Sequence, residues 1–135
     1  MAVFRDGAHA EQVIGTFFQR AAAQADNDKI FAGSGLVIGY DLQDPKLRIV
    51  MDASVKPEPG KAYDVYVNDP AAPEPRVDLI MDCDTLDALY RGEAHATALI
   101  TSGKMKIKGD TALAMRMLPA MARAIPYYKK YREIN

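Results

Sequence analysis

The chain has no tryptophan, two histidines and a single cysteine. With Cys83 alone no internal disulfide can close, so an oxidising compartment is not required and stability must come from burial. No apolar run reaches the length of about eighteen residues that a membrane span needs. The opening Met1-Ala-Val-Phe-Arg-Asp6 lacks a basic segment ahead of an apolar one, and the closing Tyr131-Arg-Glu-Ile-Asn135 is no peroxisomal tripeptide. The expectation is a cytoplasmic protein without signal or span. Charge of one sign is also missing: the net value of -1 argues against a nucleic acid or another polyanion as partner.

What is present suits one domain over residues 1–135, long enough to bury a core unaided. Hydrophobic residues make up 49% and charged ones 26%, the balance of a globular chain. Seven methionines against four phenylalanines add side chains that adapt to irregular apolar shapes.

Residues 9–23 place Val13, Ile14, Phe17, Phe18 and Ala21 at helical spacing and predict an amphipathic helix, stopped by Asp26-Asn-Asp28. Gly33-Ser-Gly35 turns into a strand with Leu36, Ile38 and Tyr40 on one side. After Asp44-Pro45 a second strand carries Leu47, Ile49 and Met51, so the two form a hairpin. Lys56-Pro-Glu-Pro-Gly60 and Pro70-Ala-Ala-Pro-Glu-Pro75 bracket a short strand over residues 63–67, which suits a sheet edge or a flap, unless the two loops are only surface turns.

Residues 76–118 change period three times. Val77, Leu79 and Met81 alternate as a strand; Leu86, Leu89 and Tyr90 share a helical face, with Asp82 or Asp84 as N-cap and Gly92 as stop. After a short Ala-rich piece, residues 103–109 alternate again, Met105 and Ile107 on one side and Lys104, Lys106 and Lys108 on the other. Asp110 then caps a helix striped by Leu113, Met117 and Met121. Pro119 should kink or restart that helix, and Pro126 should close its second piece, leaving Tyr127-Tyr-Lys-Lys-Tyr-Arg132 to trail off. Five strands and at least three helices in this order spell α+β.

The positions Asp78, Leu86, Leu89, Gly92, Gly103, Lys104, Met105, Lys106, Ile107, Gly109, Leu113, Ala114 and Met115 resemble the sterol carrier protein 2 (SCP-2) domain family. The spacing of the three glycines is the specific part. The resemblance implies a mostly antiparallel five-stranded sheet covered by helices and enclosing a hydrophobic cavity that holds a lipid, with no covalent chemistry. The chain departs from the family at Ala96-Thr-Ala-Leu-Ile-Thr-Ser102, where relatives often carry paired phenylalanines, which leaves the pocket's shape and ligand open.

Other patterns read as structure. Gly33-Ser-Gly35 precedes a strand, has Ile38 where a third glycine belongs, and lacks the helix N-terminus that would hold a pyrophosphate. Asp26-Asn-Asp28 opens no calcium loop, since Phe31 stands where glycine is needed and Val37 where a bidentate Glu belongs. Asp82, Asp84 and Asp87 gather at a helix start, where capping and the helix dipole favour acids over any metal role. His95 with Glu93, or Cys83 with a distant base, could act in catalysis, but no local pattern supports an enzyme, and neither cofactor nor metal is expected.

The function expected is non-catalytic binding, and transfer, of a fatty acyl chain, sterol or other lipid. Leu79, Met81, Met105 and Ile107 would form a floor, Leu86, Leu89 and Leu99 a wall, and Leu113, Met117 and Met121 a roof. Small residues such as Ala112, Ala114, Ala122 and Ala124 would leave room for it. The tyrosines and cations of the C-terminal segment offer transient membrane contact, or else pack back as a helix end. The alternative function is a structural or dimerising accessory module, a homodimer included, that supports an enzyme of lipid or quinone metabolism.

Overall fold

The computed structural model describes residues 3–23, 35–54 and 61–135, without the side chain of residue 120. The expected helix stop at residues 26–28, the calcium-loop reading, the turn at residues 33 and 34 and the loop at 56–60 lie outside the described residues. Helix α1 runs as an α-helix over Gly7–Ala10, makes a π-helical turn over Glu11–Gly15 and continues over Thr16–Ala22. Asp6 caps it by accepting from the His9 N–H at 2.8 Å. Its buried stripe is Ala10, Val13, Ile14, Phe17, Phe18 and Ala22.

Strands β1 (Val37–Gln43), β2 (Leu47–Asp52), β3 (Asp64–Val67), β4 (Val77–Asp82) and β5 (Lys106–Gly109) form one sheet in the order β3-β2-β1-β4-β5. β1 pairs antiparallel with β2, β2 with β3 and β4 with β5; β1 and β4 are parallel. The short strand between the Pro-rich segments is therefore an edge, one of the readings its sequence allows. Register aligns Val67, Ile49, Tyr40, Leu79 and Ile107 in one row across all five strands, with Val65, Met51, Ile38 and Val77 in the next. These rows form the inner face, because side chains alternate along a strand.

The other face carries one tight feature. Arg48 of β2 pairs with Asp78 of β4 across Gly39 of β1, so the ion pair lies over a residue without a side chain. A Cβ at Gly39 would stand 2.1 Å from Asp78 Oδ1 and 2.8 Å from Pro75 Cγ. Gly39→Ala must displace both, and we expect it to cost about 1–3 kcal/mol as an overpacking change, read as a lowered midpoint in thermal unfolding. An unchanged midpoint would show that the pair and proline move aside freely.

Helix α2 (Cys83–Tyr90) follows β4 directly, with Asp82 as N-cap accepting from the Thr85 N–H at 2.6 Å. Gly92, at φ +77°, ends it, as glycine can without strain. Helix α3 (Ala96–Thr101) occupies what reads in sequence as a mere Ala-rich piece. Its β-branched Thr97, Ile100 and Thr101 are poor helix formers, and burial of Leu99 overrides that preference. It also takes the start of the expected last strand: Gly103 turns at φ +80°, the Met105 N–H bonds to the Leu99 carbonyl, and β5 begins only at Lys106.

Helix α4 (Thr111–Ala122) is capped by Asp110, which accepts from the Leu113 N–H, and packs on β4 and β5. It keeps Pro119 in its interior, so the helix does not restart there. Pro126 corrects the second expectation: it sits in the first turn of helix α5 (Ile125–Ile134) and opens that helix, where a missing N–H costs nothing. The C-terminal segment is thus a helix with Tyr128 wholly buried, not a frayed tail.

Candidate functional site

Nine of the ten residues nominated from sequence, Leu79, Met81, Leu86, Leu89, Leu99, Met105, Leu113, Met117 and Met121, are buried in one hydrophobic cluster, and Ile107 packs on it half-buried. Leu79 and Ile107 are partners across β4 and β5. Leu113, Met117 and Met121 descend one face of α4 at spacings of four, as helical geometry requires.

An apolar pocket of about 100 Å³ opens where α2, the turn before α3, and the junction of α4 with α5 meet. Leu89 and Met121 belong to the nominated set; Tyr90 and His95 are wall residues that the sequence offers in other roles, on a helical face and as a catalytic candidate, and Leu118 and Ile125 are walls it does not nominate for binding. Leu118 and Ile125 flank the two prolines, the one signal that could have pointed to them. A site for a sizeable small molecule is usually about 300 Å³ or more, so this pocket admits an acyl chain only if a wall moves. The helical walls on one side are α4 and α5. Gly92 leaves little slack behind Ile125, since a Cβ there would lie 3.3 Å from its Cγ2.

Aromatic rings fill much of the remaining interior. Phe18 packs on Tyr40 with centroids 4.8 Å apart, and Phe17 meets Tyr128 edge to face, also at 4.8 Å. The Tyr40 and Tyr90 hydroxyls bond at 3.0 Å inside the core. Burial pushes the Tyr40 phenol up to about 12, and raises those of Tyr90, Tyr63 and Tyr128 as well. All four are therefore neutral packing elements with satisfied or shielded hydroxyls, not acids poised near neutrality.

Asp87 is the one carboxylate whose role the helix-start reading does not describe. It is 3% exposed, accepts from the Tyr128 hydroxyl and from Arg132 Nε at 3.1 Å on one oxygen, and from Arg91 Nε at 2.7 Å on the other. It ties α2 to α5, and its hydrogen bond is the main reason the Arg91 guanidinium is held more firmly charged. The i, i+4 spacing of Asp87 and Arg91 was the available sequence signal. Tyr128 and Arg132 lie 41 and 45 residues away.

The catalytic candidates are not assembled. Cys83 is buried, its thiol donates to the Pro45 carbonyl at 3.1 Å, and burial together with Asp84, Asp82 and Asp44 pushes it up to about 12. A thiol so protonated is a poor nucleophile. His95 and Glu93 are both exposed. Asp82 is engaged as a helix cap and Asp84 accepts from the Val3 N–H. Among the described residues no helix is long and apolar enough to cross a membrane. Among the described residues Tyr90 and His95 are the polar side chains of an otherwise apolar lining, so the pocket offers mainly contact area.

The model of the SCP-2 sterol transfer family matches residues 14–121. Among solved structures, the sterol carrier protein domain 2 of Helicoverpa armigera superposes with a TM-score of 0.64 at 20% identity, over 85% of this chain and 89% of that one. Apo sterol carrier protein 2 from Yarrowia lipolytica gives 0.59 at 19%, over 99% and 100%. A protein described as UbiJ-SCP2, a ubiquinone synthesis protein, gives 0.52 at 21%, over 87% and 88%. These likenesses establish the fold. No curated protein matches the sequence.

Proposed function

From the chain's membership of the SCP-2 sterol transfer family, to which it belongs over residues 14–121, we propose that it is a non-catalytic carrier of a hydrophobic ligand, a fatty acyl chain, sterol or related lipid. Lipid binding in general is what the family does. The observation that supports a core site here is the pocket edged by Leu89, Leu118, Met121 and Ile125, whose Met121 stands on the same face of α4 as the buried Leu113 and Met117.

An entering chain would displace α4 from β4 and β5, extending the pocket toward Met105, Met81 and Leu79. Three flexible thioethers along that route can repack around different chains, so broad specificity is expected. Burial contributes about 0.8 kcal/mol per methylene, so roughly ten methylenes would supply about 8 kcal/mol against the cost of opening. Exchange with a membrane would run through α5, where Tyr127, Lys129 and Lys130 are exposed, on the cytoplasmic side.

Native mass spectrometry of the purified protein, with solvent extraction of what it carries, tests this reading. A lipid bound near one to one, or uptake of a fluorescent fatty acid displaced by unlabelled chains, is the expected result. An empty protein that takes up neither overturns it. Cys83→Ala is expected to leave uptake unchanged; loss of activity toward an ester substrate in it or in His95→Ala would point to a hydrolase.

A second reading has its own support in the ring-filled interior and in the likeness to a ubiquinone synthesis protein. In it the fold is an accessory module for an enzyme of lipid or quinone metabolism, and an empty protein in the same spectrum is its expected result.

A further inference from the structure

The face of α5 turned away from Asp87 is built unlike the rest of that helix. Tyr127, Lys130, Tyr131 and Ile134 stand at i, i+3, i+4 and i+7, and with Phe17, Arg20 and Ala21 of α1 they wall a groove of about 390 Å³. That volume falls within the range of about 300–1,000 Å³ that small-ligand sites occupy, which the core pocket does not reach. Its walls are largely apolar, yet Ile134 is 84% exposed and Tyr127 39%. Large apolar side chains left in water around a concavity are what an apolar ligand covers.

The charged side chains in these walls are of one sign. Among the described residues Arg20 and Lys130 line the groove and no acidic side chain does, although the whole chain is slightly negative. The Arg20 guanidinium lies 5.4 Å from the centroid of the Tyr131 ring, and Tyr131 is anchored by donating to the Val13 carbonyl at 2.7 Å. One cation is thus held over a fixed aromatic wall before any ligand arrives. The main-chain oxygen of Asn135, a further lining residue, accepts from Arg132 Nη1 at 2.7 Å.

We propose that the groove between α1 and α5 is a second ligand site, outside the core, for a single-chain amphipathic anion. The tail lies along Phe17, Ala21 and Ile134, and the anionic head is met by Arg20 and Lys130. The site is independent of any opening of α4, since its volume is present with the core closed.

Titration of the isotope-labelled full chain with dodecanoate below its micelle concentration, followed by amide resonances, is the test. Resonances of Arg20, Ala21, Lys130 and Ile134 should move and saturate. Dodecyl maltoside, with the same tail and no charge, should need at least about fivefold more for the same shift, the worth of two exposed charge contacts. Arg20→Gln combined with Lys130→Gln should abolish that preference while the far-ultraviolet ellipticity stays unchanged. Equal affinity for the two amphiphiles would overturn the proposal, as would shifts confined to Leu89, Leu118 and Ile125. A response to phosphatidylglycerol vesicles with none to dissolved dodecanoate would also overturn it and make the face a membrane contact. Silence at the core pocket, by contrast, counts against the carrier reading and leaves this one standing.

Discussion

Replacing Asp87 with alanine is expected to lower the stability of the protein by about 3–5 kcal/mol, because it strips a buried ion pair of its only anion. Arg132, whose side chain is 8% exposed, would keep a charge with no carboxylate to meet it, and the buried Tyr128 would lose the acceptor of its hydroxyl. Arg91, a third exposed, would lose less. Protein domains are stable by only about 5–15 kcal/mol, so the loss is a large share of the total. At this chain length it corresponds to a fall of roughly 10 °C or more in the midpoint of thermal unfolding. Asp87→Asn keeps an acceptor oxygen for Tyr128 and should fall between wild type and alanine. A change below about 1 kcal/mol in the alanine variant would mean that α5 is held by the stacking of Tyr128 on Phe17 and not by the carboxylate. Since Ile125 at the start of α5 also walls the core pocket, the same variant should take up a fluorescent fatty acid faster than wild type.

At alkaline pH the protein should unfold cooperatively, beginning near pH 10. The four buried tyrosines Tyr40, Tyr63, Tyr90 and Tyr128 all have phenols raised above the usual value of 10.0, with burial as the leading cause in each. The folded state therefore holds protons that the unfolded chain releases once pH passes 10. Stability from these groups is fully present below pH 10 and is lost as pH rises from there through the folded values. For Tyr40, pushed up to about 12, the window runs from pH 10 to about 12. Each tyrosine in its window removes about 1.4 kcal/mol per pH unit, so four acting together would exhaust the stability of an ordinary domain within about two units. The phenolate absorbance of the four buried rings, beyond that of the exposed Tyr127, should change in one step with ellipticity. Phenolate appearing gradually while the fold persists would show that water reaches these rings. Tyr40→Phe with Tyr90→Phe removes both members of the bonded pair and should move the midpoint upward.

Much of the fold is legible in local pattern. The alternation of Val77, Leu79 and Met81, the helical spacing of Leu86, Leu89 and Tyr90, and the stripe of Leu113, Met117 and Met121 each appear where their periods put them. Asp82 and Asp110 cap the helices they precede, and Gly92 ends α2. The misreadings share a cause. Helix α3 is short and rich in β-branched residues, so its propensity points away from the conformation that burying Leu99 imposes. Pro126 is compatible with either end of a helix, and only the docking of Tyr128 against Phe17 decides that α5 begins there. The nominated floor, wall and roof residues do gather in one core, yet two of the ten, Leu89 and Met121, reach the pocket.

The sequence by itself determined the five strands and most of the helices, their order, most of their ends and which side of each is apolar, because caps, turns and hydrophobic periods act between residues a few positions apart. Tertiary structure alone decided that β1 and β4 run parallel, that Asp87 meets Arg132 and Tyr128, that aromatic rings occupy much of the interior, and that a groove flanked by Arg20 and Lys130 lies between α1 and α5. These depend on contacts between residues distant in sequence, 39 positions for the β1–β4 pairs and 118 for Tyr131 with Val13, and no local period encodes which distant side chain will fill a given space.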